Sequence, residues 1–214
     1  MKRSVLLLVA LVLGMIALAA HGATTQLIPW SENLNFHWGL FLGSPPSDAG
    51  PNDVAGIYVQ HKWAASNPVQ VGSQTASGWT VRASVIVVSN QMNPKLSWAR
   101  HDRVTDSALQ HEWYHFTLHE VYRRKLEAEL QSVQVTHSSQ AAVGQMLMDE
   151  IRDTADSLTT QANAMQKVYD NQTNHGQDTS AQRSWEAQID AWLASPSQAP
   201  DNASAWEAMH ALGP

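Results

Sequence analysis

Two histidines separated by three residues carry the clearest chemical signal in this chain of 214 residues. His111 and His115 lie in a stretch predicted to be helical, where four residues turn the backbone by about 400° and place both imidazoles on one face, about 6 Å apart. Two nitrogens at this spacing can bind one metal ion at about 2.0–2.1 Å. Glu112 lies one step round the helix, where its carboxylate can accept a proton from metal-activated water. The H-E-x-x-H pattern therefore predicts a Zn²⁺ site with Glu112 as general base.

The composition limits the other chemistries. The chain has no cysteine, so a metal must be held by histidine, aspartate or glutamate, as in zinc and calcium sites. With 19 acidic and 13 basic residues, its formal net charge is −6, which argues against a nucleic-acid partner. The sequence contains neither a G-x-S-x-G nucleophile motif nor a glycine-rich phosphate-binding loop. Since ten histidines raise the chance of an accidental H-E-x-x-H match, the motif needs support from its surroundings.

The N-terminus has the pattern of an export signal. Lys2 and Arg3 precede an apolar run over residues 5–20, and small residues follow it. This order predicts a signal peptide over residues 1–23 and a periplasmic or secreted protein. The alternative is an uncleaved membrane anchor, because the run approaches the length that spans a bilayer. No basic stop-transfer cluster follows the run, which favours the signal and predicts no stable membrane insertion after cleavage.

The mature chain of roughly 190 residues fits one domain, and its character changes near residue 105. Before this point, short β-branched and aromatic stretches alternate with turn residues, which predicts strands of an antiparallel sheet. These stretches cover residues 57–59, 69–71 and 79–88.

After residue 105, proline and glycine are almost absent up to Gly176. Apolar spacings of three and four predict long helices, the first capped by Thr105 or Asp106 and a third capped by Asp178. The first two helices are predicted over about 107–132 and 139–170, and a short last helix over 202–212. We expect an α+β fold in which an N-terminal antiparallel sheet precedes long helices. The domain is expected over residues 24–196, with 197–214 as a C-terminal tail or short helix.

Three separated stretches resemble one known family. Residues 109–124, LQHEWYHFTLHEVYRR, are similar to the core of a bacterial family of predicted secreted zinc-dependent proteases, a domain of unknown function with an H-E-x-x-H-F motif. Residues 34–46, LNFHWGLFLGSPP, resemble its N-terminal strand and loop, and Ser97-Trp98 precede the active helix. Residues 169–176, YDNQTNHG, followed by Gln182 and Trp185, resemble its second signature.

The similarity extends over about residues 27–194 and keeps the order of the three stretches. It implies a zincin-like metalloprotease domain acting on a protein or peptide substrate. One position departs from the family pattern. Thr117 stands where the family often has an aspartate, which would orient a metal ligand from the second coordination shell.

A third metal ligand is needed, because catalytic zinc usually has three protein ligands and one water. His119 lies about 12 Å along the helix from His111, so we expect it to be a surface or second-shell group. His175, in the THNG-like stretch Thr173-Asn174-His175-Gly176, is the preferred candidate, with Asp170 as the alternative. Tyr169 is a candidate for oxyanion stabilisation.

The position of His175 raises a geometric difficulty. If the first two helices form a straight hairpin turning near His137, Asn163 should lie level with His111. His175 would then lie about 18 Å too far along a continuous second helix, so that helix must end early, bend or pack at a large angle.

These observations favour an exported zinc metallopeptidase in which His111, His115 and His175 bind the metal. A rival from another class is a non-catalytic envelope module with a structural metal or none. A third hypothesis is zinc-dependent hydrolysis of a non-peptide amide, such as a cell-wall bond.

Overall fold

A computed structural model describes residues 26–71 and 74–210 of the chain. The predicted signal peptide, residues 1–23, lies outside the described residues. The described part has the expected α+β architecture, with antiparallel sheets in the N-terminal half and long helices after them.

The strands form three small antiparallel sheets. The first sheet has the order β1-β6-β3, the second pairs β2 with β7, and the third has the order β4-β5-β8. The strands of the described residues are β1 (Ile28–Pro29), β2 (Ala55–Gly56), β3 (Val59–Ala65), β4 (Pro68–Gln70), β5 (Trp79–Ala83), β6 (Ile86–Met92), β7 (Trp98–Ala99) and β8 (Val135–His137).

The strand prediction differs from the structure at two places. Ile57 and Tyr58, predicted to be in a strand, lie outside β2 and β3 because their N–H groups bind the side chains of Glu112 and Ser97. β8 lies in the half of the chain predicted to be helical, where it pairs with β5. A helix-rich segment therefore contributes one strand to the sheet region.

Four α-helices follow the predicted positions closely. Thr105 caps the first by accepting a hydrogen bond from the N–H of Ala108, and Asp178 caps the third through the N–H groups of Ser180 and Ala181. The helices are α1 (Asp106–Ser132), α2 (Gln140–Thr173), α3 (Thr179–Ala194) and α4 (Ala203–His210).

α1 and α2 pack side by side in opposite directions, and their register corrects the hairpin estimate. His115 contacts Gln166, and His111 contacts Asp170. Asp170, not Asn163, therefore lies level with His111. The difference of seven residues arises because β8 and its flanking loops separate the helices, so α2 starts only at Gln140. α2 reaches the site without the bend that the straight-hairpin estimate required.

The apolar core surrounds α1. One cluster joins α1 to α2 and α3 through Tyr122, Met165 and Trp192, and a second joins its C-terminal half to β5, β6 and α2. The predicted tail is partly helical and packs Ala203 and Trp206 onto the first cluster. In the described residues, none of the helices combines the length and apolar character needed to cross a bilayer.

Candidate metal centre

Three side chains on two helices converge on one point. His115 Nε2 lies 2.9 Å from Asp170 Oδ1 and 3.0 Å from His111 Nε2, and His111 Nε2 lies 3.1 Å from Asp170 Oδ1. His111 and His115 are buried, and Asp170 is half-buried. In the part of the chain that the structure describes, this is the one group of three or more such side chains arranged to hold a metal ion.

The three atoms fit the donor set of a zinc ion. Four ligands arranged tetrahedrally at about 2.0–2.1 Å from zinc lie roughly 3.3 Å from one another. The observed separations of 2.9 to 3.1 Å require each donor to move outward by only a few tenths of an ångström. Two imidazoles and one carboxylate are also the protein ligands of many catalytic zinc sites, which leave a fourth position open.

The outer nitrogens of both imidazoles are held by glutamine amides. His111 Nδ1 lies 3.0 Å from Gln182 Oε1, and the Gln182 amide nitrogen donates to Tyr169 and Glu186. Because the amide hydrogens are used there, Gln182 Oε1 must accept a proton from His111 Nδ1. His115 Nδ1 donates in the same way to Gln166 Oε1 at 2.6 Å. Both histidines therefore direct Nε2 towards the metal position.

The charges of the group keep the Asp170 carboxylate ionised. Burial opposes ionisation, but the neighbouring His115 and His111 hold the pKa of Asp170 well below its usual range. Burial would also lower the pKa of His115, yet the Asp170 carboxylate raises it to about 9. The site thus favours positive charge at the point where the three donors meet.

His175 lies beside this group. Its Nδ1 is 3.6 Å from Asp170 Oδ1, and its side chain is 58% exposed, against 29% for Asp170. The residue follows the end of α2 in the left-handed backbone region, with φ of 54°. The structure thus brings the alternative candidate, Asp170, to the two histidines, and a ligand role for His175 stays a prediction.

Gly176 allows the chain to pass close to His111. Its φ is +77°, and a Cβ atom there would lie 2.9 Å from His111 Cγ. Both the backbone conformation and the close contact require glycine. The sequence suggested Gly176 as a helix stop, and the structure adds that it packs against a candidate ligand.

Glu112 lies beside the group and has one oxygen available. Its Oε2 accepts a hydrogen bond from the N–H of Ile57 at 2.9 Å. Its Oε1 has no hydrogen-bond partner among the described residues and is not among their fully buried unpaired atoms, so it is accessible from the cleft that Glu112 lines. Burial raises the pKa of Glu112, against the opposing effect of His115 and His111. A raised pKa suits a group that must accept a proton near neutral pH.

Two other predicted roles look different in the structure. Tyr169 is fully buried, and its hydroxyl donates to the His111 carbonyl oxygen and accepts from Gln182, so its position supports His111 instead of facing a substrate. Thr117 donates to the Trp113 carbonyl oxygen and has no contact with the metal group. The second-shell support that the sequence left uncertain at Thr117 comes from Gln166 and Gln182.

An open cleft with a volume of about 1040 Å³ leads to this group. It is slightly larger than the roughly 300–1,000 Å³ of typical small-molecule sites. One wall is the segment 52–59, the floor is α1, and the other wall is formed by α2 and residues 175–179. The cleft contains Glu112 and the three metal-binding candidates, and it has room for an extended chain.

The comparisons with known proteins leave the chain without an assigned relative. No match was found among protein-family models, curated proteins or solved structures. The family resemblance of the three sequence stretches therefore stays a prediction.

Proposed function

We propose that this chain is an exported zinc-dependent hydrolase, specifically a metallopeptidase. The observation that carries the proposal is the convergence of His111, His115 and Asp170 on one point beside the available oxygen of Glu112. The three residues would hold Zn²⁺, and Glu112 would act as general base. Export rests on the sequence pattern of residues 1–23 alone.

The chain's own groups have separate tasks in this reaction. A bound zinc ion would supply Lewis acidity, polarising the substrate carbonyl and lowering the pKa of water to about 7. Glu112 would accept the water proton at Oε1 and later transfer it to the leaving amine. The N–H of Ile57 holds the other oxygen of Glu112, so the carboxylate is positioned before substrate binds.

The shape of the cleft favours a polymeric substrate. It is open along its length, and segment 52–59 runs beside Glu112 on one wall. A peptide in extended conformation needs about 3.3 Å per residue, so several residues fit in the cleft. An amide bond within a peptide chain is therefore the substrate bond that we propose.

Metal analysis of the purified mature protein tests the first half of the proposal. We expect one zinc ion per chain, removed by chelator and restored by added zinc. An Asp170→Ala variant should lose this zinc. Protein that binds no metal, or that binds iron in preference to zinc, would contradict the proposed centre.

The Glu112→Gln variant tests the second half. Zinc content should stay unchanged while casein hydrolysis falls by about 10²- to 10⁴-fold, the usual contribution of a general base. Glu129→Gln, an exposed position on the same helix, is the matched control and should keep full activity. A wild-type protein that binds zinc but digests only peptidoglycan indicates a cell-wall amidase. One that digests neither substrate supports the structural envelope module.

A further inference from the structure

His119 lines the same cleft as the metal group but does not belong to it. It follows His115 by one turn of α1, which places it about 6 Å further along the helix axis. Its ring packs edge-on against His61 of β3, with the ring centroids 5.2 Å apart. Neither the metal nor the general base has a use for this side chain.

The two ring nitrogens of His119 have different surroundings. Nδ1 is fully buried and has no hydrogen-bond partner among the described residues. Nε2 has no partner there either, but it is not among the fully buried atoms. The accessible nitrogen of a ring that lines the cleft must face the cleft, so Nε2 is the atom presented to a bound ligand.

The state of the ring follows from its burial. Burial, with His61 and His115 nearby, holds the pKa of His119 well below its usual range, so the ring is neutral at physiological pH and carries one proton. A buried N–H without an acceptor is much rarer in proteins than an under-satisfied acceptor. The proton therefore belongs on Nε2, and the bare Nδ1 is the buried atom. His119 presents an N–H donor to the cleft.

We propose that the Nε2–H group of His119 binds a main-chain carbonyl oxygen of the peptide substrate, about two residues from the scissile bond. The distance supports this register. His119 lies about 6 Å beyond His115 along α1, and an extended peptide advances by about 3.3 Å per residue. The inference rests on the proposed function, because it takes the metal group as the place where the peptide is cut.

His61 keeps the His119 side chain in place. Its Nε2 donates a hydrogen bond to the His119 carbonyl oxygen at 2.9 Å, and its ring contacts the His119 ring edge-on at an interplanar angle of 81°. His61 is thus a positioning residue. His119 then binds the carbonyl oxygen without having to reorganise, which strengthens the hydrogen bond that it offers.

Ligands anchored at the metal can test the register directly. Two series serve as probes on the zinc-loaded protein: alanine peptides with a C-terminal hydroxamate, and mercaptoacetyl-alanine peptides, each of one to four residues. Their zinc-binding groups fix the position of the chain on opposite sides of the scissile bond. Dissociation constants are measured by titration calorimetry.

We expect His119→Phe to weaken binding by about fivefold to tenfold, the effect of one lost hydrogen bond. The loss should appear in one series only, and only once the peptide reaches two residues. His119→Gln, which keeps an N–H donor, should recover part of the affinity. His210→Phe, an exposed histidine of α4 stacked on Trp206, should bind like the wild type.

Equal affinities of wild type and His119→Phe at every length would overturn the inference, as would a loss that is the same at every length. If Phe disturbs the fold, as judged by circular dichroism and zinc content, His119→Leu replaces it. Failure to bind either series with zinc in place also overturns the inference. Casein hydrolysis reports separately on the proposed function, because hydroxamates and thiols bind zinc whether or not the protein cuts peptides.

Discussion

His115 Nδ1 donates a hydrogen bond to Gln166 Oε1 at 2.6 Å across the contact between α1 and α2, although 51 residues separate the two along the chain. This bond fixes the orientation of the imidazole and leaves Nε2 for a metal ion. Gln182 holds His111 in the same way. The candidate ligands are therefore positioned by neutral amides, while metal-binding histidines in many sites donate to a carboxylate or a backbone carbonyl.

Gln166→Leu should lower the affinity for zinc by about 10- to 100-fold, the usual effect of removing a second-shell partner. The physical reason is that the His115 ring loses its acceptor and can rotate. Zinc affinity is measured by competition with a chelating dye. Gln145→Leu, an exposed position on the same helix, is the control. An unchanged affinity in Gln166→Leu would show that packing alone orients His115.

The third ligand can be identified by comparing two variants. Asp170→Asn should weaken zinc binding by more than about 100-fold, beyond the range of second-shell effects. His175→Ala should change the affinity by less than about tenfold, because His175 is largely exposed and lies outside hydrogen-bond distance of Asp170. Both affinities are measured with the same dye competition. The reverse order of effects would restore His175 as the ligand.

The sequence predicted those parts of the site that depend on local structure. His111, Glu112 and His115 are positioned by one helical turn, and the start of that helix is visible in the capping residue Thr105. The place of Asp170 depends on how many residues the connection between α1 and α2 consumes. Because β8 occupies part of this connection, an estimate from a tight hairpin was wrong by seven residues.

Long-range contacts with weak local signals could not be predicted. Gln166 and Gln182 are ordinary polar residues on helices, and only the packing of α2 and α3 on α1 brings them to the histidines. The two-residue strands β1, β2 and β7 exist only through their partners. The one available sequence signal was the spacing of Gln166 and Asp170, which are four residues apart and share a helix face.

Gly176→Ala should damage both stability and metal binding. A methyl group at this position would meet the His111 ring at 2.9 Å, and the φ of +77° is unfavourable for alanine. We expect a loss of about 1–3 kcal/mol in the free energy of unfolding, from strain in the backbone. Zinc affinity should fall as well, because His111 must move. Urea unfolding and dye competition measure the two effects.

Gly144→Ala is the matched control for this variant. Gly144 lies within α2, and a methyl group there would make only an ordinary contact with Pro68, at 3.4 Å. Alanine is the better helix former, so this change should stabilise the protein by about 0.5–1 kcal/mol and leave zinc binding unaltered. If both variants behaved alike, the close approach of Gly176 to His111 would have no consequence for the site.

The buried His61 should make the protein less stable in acid. Burial lowers its pKa from 6.5 to about 4, with Arg123 acting in the same direction against the hydrogen bond to His119. The unfolded chain therefore takes up a proton on His61 at a higher pH than the folded protein does. The stability that the neutral ring contributes is complete above about pH 6.5 and is lost as the pH falls towards 4. For a shift of this size, the loss is about 3 kcal/mol.

This effect is measured by comparing urea unfolding of the wild type and His61→Phe between pH 7 and 4, with chelator present so that release of zinc does not contribute. The variant should be less stable at pH 7, because the hydrogen bond to the His119 carbonyl is lost, but its stability should decline less steeply with acid. His101→Phe, at an exposed position, should decline like the wild type. Parallel curves for His61→Phe and the wild type would mean that His61 is already protonated in the folded protein, or free to move into water.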